Sequence, residues 1–449
     1  VDNNKSCLNQ LMAWFCRENF LIGTSLFRVL SGLLILYVYT TNYAQRYFLW
    51  SDFGYFDPAI KHDTLSLYNL NGSLLYFDIV FHAAIVVAIL FTFGFGGKMT
   101  ALLHFILYFS LYQRFYHFGD GGDNLLRIIL FFLIFTNSTA YFSLDSARVW
   151  RKIERTKETF LYRIKSMIHN FALILSVFQL CVLYFTSGFY QIMGESWNNG
   201  TAIYYVSQVD SFSNSFMRGF VQDYFYLTVL FTYLSILIKI SFPFFILNKR
   251  LKPFIVLAMC GFHVGIAFGM GLITFSVIMI IMELLLFTDK EYQSFYDKLN
   301  GFMEKLKTKL RVYGETSPYL KDRRLIVFYD SWCPVCTEVA SFIKRLDYFL
   351  LIELCSFRTE EKYKAHDLRL EDVENRMHAV KVKQNQVVSG IDSFVEICKR
   401  LIPLWMLVPL LKLSSLVGMG QVMYDFMAKR RAIVPVGHCN EDGCLIKEQ

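Results

Sequence analysis

Leu325–Val339, LIVFYDSWCPVCTEV, decides how the C-terminal part of this chain is read. Leu325 to Tyr329 is short, apolar and rich in β-branched and aromatic residues, the pattern of a buried strand. Asp330-Ser331-Trp332 then turns the chain, and from Thr337 the apolar residues Val339, Phe342, Ile343 and Leu346 recur at helical spacing. Cys333 and Cys336 therefore fall at a strand-to-helix junction, on the first helical turn. Unpaired backbone N–H groups and the helix dipole favour a thiolate there. Pro334 suits an early helical position, which needs no N–H. Thiol–disulfide exchange sites are built in this way. A buried inert pair, or half of a zinc site completed by His438, Cys439 and Cys444, is the competing reading of the spacing alone.

Outward from this stretch the chain changes character. Over 449 residues it is 55% hydrophobic, 17% aromatic and only 18% charged, with a mean hydropathy of +0.37. That is too apolar for an ordinary soluble protein of this length. The net charge of +8 does not point to nucleic acid, because the basic residues gather in loops between apolar runs. No phosphate loop, zinc-finger spacing or nucleic-acid motif is present. The first twenty residues lack the pattern of a signal peptide. Ten cysteines in so long a chain do not make a disulfide scaffold.

Apolar runs at Ile22–Tyr43, Leu74–Phe95, Lys98–Phe118, Leu125–Phe142, Ile168–Phe189 and Tyr224–Leu247 read as spans. Pro253–Phe287 is too long for one span of about 20 residues, so it is divided at Gly269-Met270-Gly271. The expectation is a polytopic α-helical membrane protein with about eight spans. Basic charge gathers at the N-terminus, Lys98, Ala147–Lys165, Lys249–Lys252 and everything after Lys290. The positive-inside rule places that side, and the thiol site with it, in the cytoplasm of a cell-membrane protein. The domains expected are a membrane domain over 1–290, a charged linker helix over 291–323, an α/β domain over 324–431 and a tail over 432–449. One long helix is expected over Leu404–Lys429.

Ionisable residues inside spans are functional candidates by default. Arg28, Asp78, His82, His104, Lys239, His263 and Glu283 qualify. Asp123 and Arg127, four apart at a helix start, face the same side and are singled out as a pair, either binding a substrate or fixing the helix by a structural ion pair.

Residues 325–431 resemble the DCC family of small thiol-disulfide oxidoreductases. The family's hallmark is a Tyr-Asp-Gly-x-Cys-Pro-x-Cys stretch, read here as Tyr329-Asp330-Ser331-Trp332-Cys333-Pro334-Val335-Cys336, with serine in place of glycine. The likeness continues at Met377-His378, Gly390–Phe394 and Tyr424–Arg431. It implies a thioredoxin-like α/β fold in which Cys333 attacks, Cys336 resolves, and Asp330 either relays protons or simply forms the turn.

Roughly residues 20–290 are similar to the HTTM family, which includes the vitamin K-dependent γ-carboxylases and the bacterial sporulation-delaying-protein B family. The matching residues are Gly121–Arg127, Phe142–Asp145, Ser187-Gly188 and Trp197–Ala202. Carboxylation is not expected. That chemistry needs a lysine base just after the small-residue–Gly pair, where this chain has Phe189-Tyr190-Gln191, and glutamine takes no proton. Gln191 and Trp197 join Asp123 and Arg127 as the candidate membrane site.

The resemblance implies an accessory factor for maturing or exporting a small secreted, toxin-like peptide, with a second membrane-associated maturation protein as partner. No metal or other cofactor is expected. Two alternatives stand beside it: a membrane redox enzyme acting on a quinone-like lipid-soluble substrate, and a non-enzymatic immunity or receptor protein.

Overall fold

A computed structural model describes residues 9–10, 12–54, 65–115, 119–359, 361–429, 439–440 and 443–444. The chain divides into two compact units, Val1–Phe295 and Tyr296–Gln449.

The first unit is helical. Its main helices are α1 (Leu21–Thr41), α2 (Leu74–Phe93), α3 (Gly97–Phe115), α4 (Gly121–Leu133), α5 (Phe160–Met193), α6 (Phe225–Phe245), α7 (Lys252–Met270) and α8 (Ile273–Met282), the last extended by a 3-10 turn to Leu286. Five of these, α1, α2, α5, α6 and α7, are long and apolar enough to cross a membrane. The other three expected spans are also helices, but shorter or more polar. The fourth ends at Leu133 rather than continuing to Phe142, because Thr136–Thr139 brings hydroxyl and amide side chains that favour turns. The division between α7 and α8 falls at Gly271, whose φ of +72° is left-handed and admits glycine without strain.

Arg28 on α1 holds this unit together. It is 1% exposed and donates only to main-chain carbonyls: Nε to Ser138 (2.9 Å), Nη1 to Phe91 (2.8 Å) and Thr92, Nη2 to Tyr141 and Phe142 (2.6 Å). Phe91 and Thr92 lie in the last turn of α2, where carbonyls lack the usual donor four residues on and attract a cation. A Cβ at Gly94 would come within 2.9 Å of the guanidinium, so the close approach requires glycine. Asp289 does the converse for α1, accepting from the otherwise unpaired N–H groups of Leu21 (3.1 Å) and Ile22 (2.7 Å). Asp78 pairs with Arg46 at 3.0 Å, and His82 bonds the Tyr43 hydroxyl at 2.9 Å, so both are engaged in the first half of α2.

A long helix, α9 (Asp289–Thr316), leads into the second unit. That unit contains β1 (Leu325–Tyr329), α10 (Pro334–Leu346), β2 (Ile352–Ser356), β3 (His378–Lys381), β4 (Gln386–Ser389), α11 (Ile391–Arg400), α12 (Val408–Leu416) and α13 (Met419–Lys429). The sheet order is β2-β1-β3-β4, with β1 parallel to β2 and antiparallel to β3, and β3 antiparallel to β4. Leu325, Val327, Ala379, Ile343, Ile397 and Leu401 form its main core. The single helix expected over Leu404–Lys429 is instead a 3-10 turn followed by two helices bent by 95°. Gly418, at φ +77°, makes the corner. Met406, Leu416 and Val422 project outward from this segment, at least 70% exposed.

Candidate functional site

The turn between β1 and α10 is tied at both ends. The Asp330 carbonyl accepts from Cys333 N (3.3 Å) and its carboxylate from Trp332 N (2.9 Å), an aspartate-led turn. Cys333 is the N-cap of α10 with extended backbone angles, and Pro334 is the first helical residue. Thr337 N already donates to the Cys333 carbonyl at 3.0 Å. Cys333 and Cys336 are both unbridged thiols.

Arg358, just beyond β2, was not singled out from the sequence. It grips the Asp330 carboxylate with two bonds, Nε to Oδ1 at 3.2 Å and Nη2 to Oδ2 at 3.0 Å, and gives Nη1 to Glu374 at 2.6 Å. Its guanidinium lies 4.5 Å from the centroid of Trp332 and 4.9 Å from that of Phe357. Its hydrogen bonds to the Asp330 carboxylate, foremost, keep Arg358 firmly cationic. Asp330 is thus a buried, paired carboxylate that shapes the turn. Ser331, in the place of the family's glycine, has no left-handed backbone, and its hydroxyl accepts from that of Ser356 at 2.8 Å, fastening the turn to β2.

The remaining residues of the DCC resemblance meet around the start of β3. Met377 N donates to the Tyr424 hydroxyl (2.7 Å), while its carbonyl accepts from Gly390 N (2.9 Å) and Ser393 Oγ (3.2 Å). Arg376 pairs with Asp425 at 2.7 Å. Because His378 stands opposite Phe328, Arg376 and Met377 lie at the sheet end from which the cysteine turn departs.

Accessibility differs from what an attacking thiol suggests. Cys333 has no exposed surface and Cys336 only 8%, whereas Trp332 and Val335 beside them are exposed. The backbone of Cys439 pairs directly with that of Cys444, but His438 lies outside the described residues, so the zinc reading has no described third ligand there. Among the described residues no group of three or more His, Cys, Asp or Glu is placed to hold a metal ion.

The membrane candidates do not form one site. Asp123 closes a capping box at the start of α4, accepting from Asp120 N (3.2 Å) while Asp120 accepts from Asp123 N (3.0 Å). It also borders a small cavity of about 40 Å³ with Trp50, Tyr108, Tyr112 and Leu126. Arg127 turns to Asn124 (2.6 Å) and the face of Tyr112 (4.5 Å), so each member of the expected pair is engaged elsewhere. The capping box takes Asp123 because the unpaired N–H groups of the helix start are nearer than the guanidinium. Gln191 is buried on α5, and Trp197, in the short helix Glu195–Asn198 that follows, packs against its N-cap Gly194. Neither lines the Asp123 cavity.

Three of the intramembrane candidates, Lys239, His263 and Glu283, have partners that the sequence reading did not give them. Although no lysine stands just after Ser187-Gly188 in sequence, α6 brings Lys239 there, its Nζ 3.4 Å from Ser187 Oγ. Tyr184, His263, Glu283 and Cys260 also converge, from α5, α7 and the turn after α8. Only the partners' sequence separation hid them.

The C-terminal unit matches the DCC1-like thiol-disulfide oxidoreductase family over residues 327–435. The chain is also 27% identical over 232 residues to the uncharacterized protein YitO of Bacillus subtilis (strain 168), an alignment covering 49% of this chain and 71% of that protein. No solved structure matches.

Proposed function

We propose that this chain is a multi-pass protein of the cell membrane whose cytoplasmic C-terminal domain exchanges disulfides during maturation or export of a small secreted peptide. The observation that carries the thiol chemistry is Cys333 at the N-cap of α10, directly after β1, with Cys336 one turn on. The β-α-β then β-β-α order of the sheet supports a thioredoxin-like reading. Five apolar helices, joined by α3, α4 and α8 as shorter crossings, support eight spans. The likeness of the membrane region to the HTTM and sporulation-delaying-protein B families motivates the peptide role.

In the forward reaction the Cys333 thiolate attacks a partner disulfide. A Cys333–partner S–S bond forms, the partner's own S–S bond breaks, and the leaving thiolate takes up a proton. Cys336, deprotonated, then attacks Cys333 Sγ, closing the Cys333–Cys336 disulfide and releasing the second partner thiol. Two electrons pass to the partner, and the reverse sequence oxidises it. Since Cys333 has no exposed surface, attack follows a local opening that uncovers it. Asp330 and Arg358 set the turn and take no proton from the reaction.

The test is a trap in producing cells. Cys336→Ser cannot resolve the mixed disulfide, so the full chain should carry a reducible adduct that mass spectrometry identifies as a small secreted peptide. The absence of any adduct, or adducts with abundant cytoplasmic proteins alone, would overturn the peptide role.

A further inference from the structure

Between Ile402 and Met423, in the second unit, the sequence carries a single charged residue, Lys412. The 3-10 turn Ile402–Leu407 and α12 contain no buried residue. Met406, Leu410, Leu413, Leu416, Val422 and Met423 are each at least 60% exposed. A surface helix of a soluble domain turns its polar side chains outward. Here the order is reversed. Ser414 and Ser415 of α12 are half-buried, with Ser415 Oγ donating to Asp392 Oδ1 of α11 (2.7 Å), while leucines occupy the outer side.

The other polar groups of this segment are satisfied from within the protein. Ser414 Oγ donates to the Leu411 carbonyl (2.8 Å) and Trp405 Nε1 to the Lys399 carbonyl (3.1 Å). Gln421 donates from Nε2 to Asp425 Oδ1 (2.9 Å) and accepts at Oε1 from Ile391 N (3.3 Å). At the corner itself, Val417 N and Gly418 N donate to the carbonyls of Leu413 (3.1 Å) and Ser415 (3.0 Å). Backbone that enters lipid has to be satisfied in this way, because no water is there to do it. Lys412 is exposed, and its long stem lets an ammonium reach the headgroups from an apolar surface.

Candidate occupants of this surface differ in what they require. A protein partner forms about one hydrogen bond per 100–200 Å² of interface, and the outer side chains here offer Lys412 alone. A bilayer requires none, and the chain carries five helices long and apolar enough to cross one. Nine residues of α12 reach about 14 Å, half of a hydrocarbon core of about 30 Å. The 95° bend also prevents α12 and α13 from forming one straight span. Such a pair dips into one leaflet without crossing. Basic residues stand on both sides of it in the sequence, Lys399-Arg400 before and Lys429-Arg430-Arg431 after, which suits an anionic headgroup layer.

We propose that α12, the corner at Gly418 and the outer face of α13 form a wedge that lies in one leaflet of the bilayer and anchors the thiol domain to the lipid surface. The anchor is independent of what the cysteines exchange with. Tyr424 and Asp425 of α13 hold Met377 and Arg376, so the wedge is fixed to the sheet end from which the cysteine turn departs.

The experiment uses the full chain in lipid nanodiscs, with a fluorescent amino acid placed at position 416 in one variant and at 371 in another. Glu371 is exposed on the helix Leu370–Asn375, whose Val373 packs with Phe328 and Val380 on the opposite face of the sheet. Lipids brominated on their acyl chains quench a fluorophore that touches them. They should quench the label at 416 and leave the label at 371 unchanged. Adding Leu410→Glu and Leu413→Glu should lower the inserted population on the order of 100-fold, about tenfold for each charge, and remove the quenching. No quenching at 416 would overturn the wedge, whether that surface then meets water, a second copy or another part of the chain. Equal quenching at both positions would overturn it too, because the label's own affinity for lipid would account for the signal. Quenching that persists in the glutamate variant would overturn the role of the apolar surface.

Discussion

The thiol site and the buried polar chain of the membrane unit are built by opposite routes. Cys333, Cys336, Asp330 and Pro334 sit on one continuous stretch, so a strand, a turn and a helix start place them before any distant part of the fold is considered. Tyr184, His263 and Glu283 come from separate helical segments up to 99 residues apart, and only the packed bundle brings them together. The local site should survive damage to the bundle, and the distributed one should not.

The largest expected effect falls on the local site. Cys333→Ser should abolish disulfide exchange by the full chain while leaving the slow alkylation of Cys260 in the membrane unit unchanged. A change at both places would break the comparison.

Next comes Arg358→Ala, which leaves Asp330 buried at 5% exposure without its cation. Removing one partner of a buried pair costs about 3–5 kcal/mol. Solvent contact at the arginine lowers that to about 2–3 kcal/mol, so alkylation of the covered Cys333 should speed up on the order of 100-fold. An unchanged rate would mean that the turn does not depend on the Asp330–Arg358 pair.

The corresponding change in the membrane unit is Gly271→Ala. Forcing a Cβ into φ +72° costs roughly 1–2 kcal/mol at the corner between α7 and α8. Alkylation of Cys260 by a lipid-soluble maleimide should rise about tenfold, with Cys333 unaffected. Equal changes at both cysteines would show that the two sites are not separable.

The smallest effect depends on pH. Burial alone would raise the Glu396 carboxyl on α11, but hydrogen bonds and charge from Lys399 and Arg400 hold it at about 2. A carboxyl lowered by folding stabilises above its unfolded pKa of about 4.3, and that contribution disappears as pH falls from there through about 2. Glu396→Gln should therefore cost about 1 kcal/mol at neutral pH after solvent screening. In urea titrations the difference from wild type should vanish near pH 2.

What the sequence made legible follows the same division. Leu325–Tyr329 is a strand and Cys333 a helix cap because apolar pattern, turn chemistry and proline position agree over a few residues. The break at Gly271 was legible because a 35-residue apolar run is about 15 residues too long for one helix. Arg358 was not legible, since nothing near it in sequence marks it as the partner of Asp330. Asp123 and Arg127 misled for a related reason. Helical spacing predicts which residues share a face, whereas the Asp120 capping box and the Tyr112 ring decided which partners they took. The corner at Gly418 was hidden within a strongly apolar segment that reads equally well as one long helix.

The most direct measurement is the reaction of two variants of the full chain, each lacking one thiol of the pair, with oxidised glutathione, followed by mapping of the adducts. Cys336→Ser should accumulate a glutathione mixed disulfide on Cys333, at a rate limited by the opening that uncovers it, and Cys333→Ser should remain largely unmodified at Cys336. Rapid modification of Cys336 in Cys333→Ser, with Cys333 unreactive in Cys336→Ser, would contradict the assignment of Cys333 as the attacking thiol.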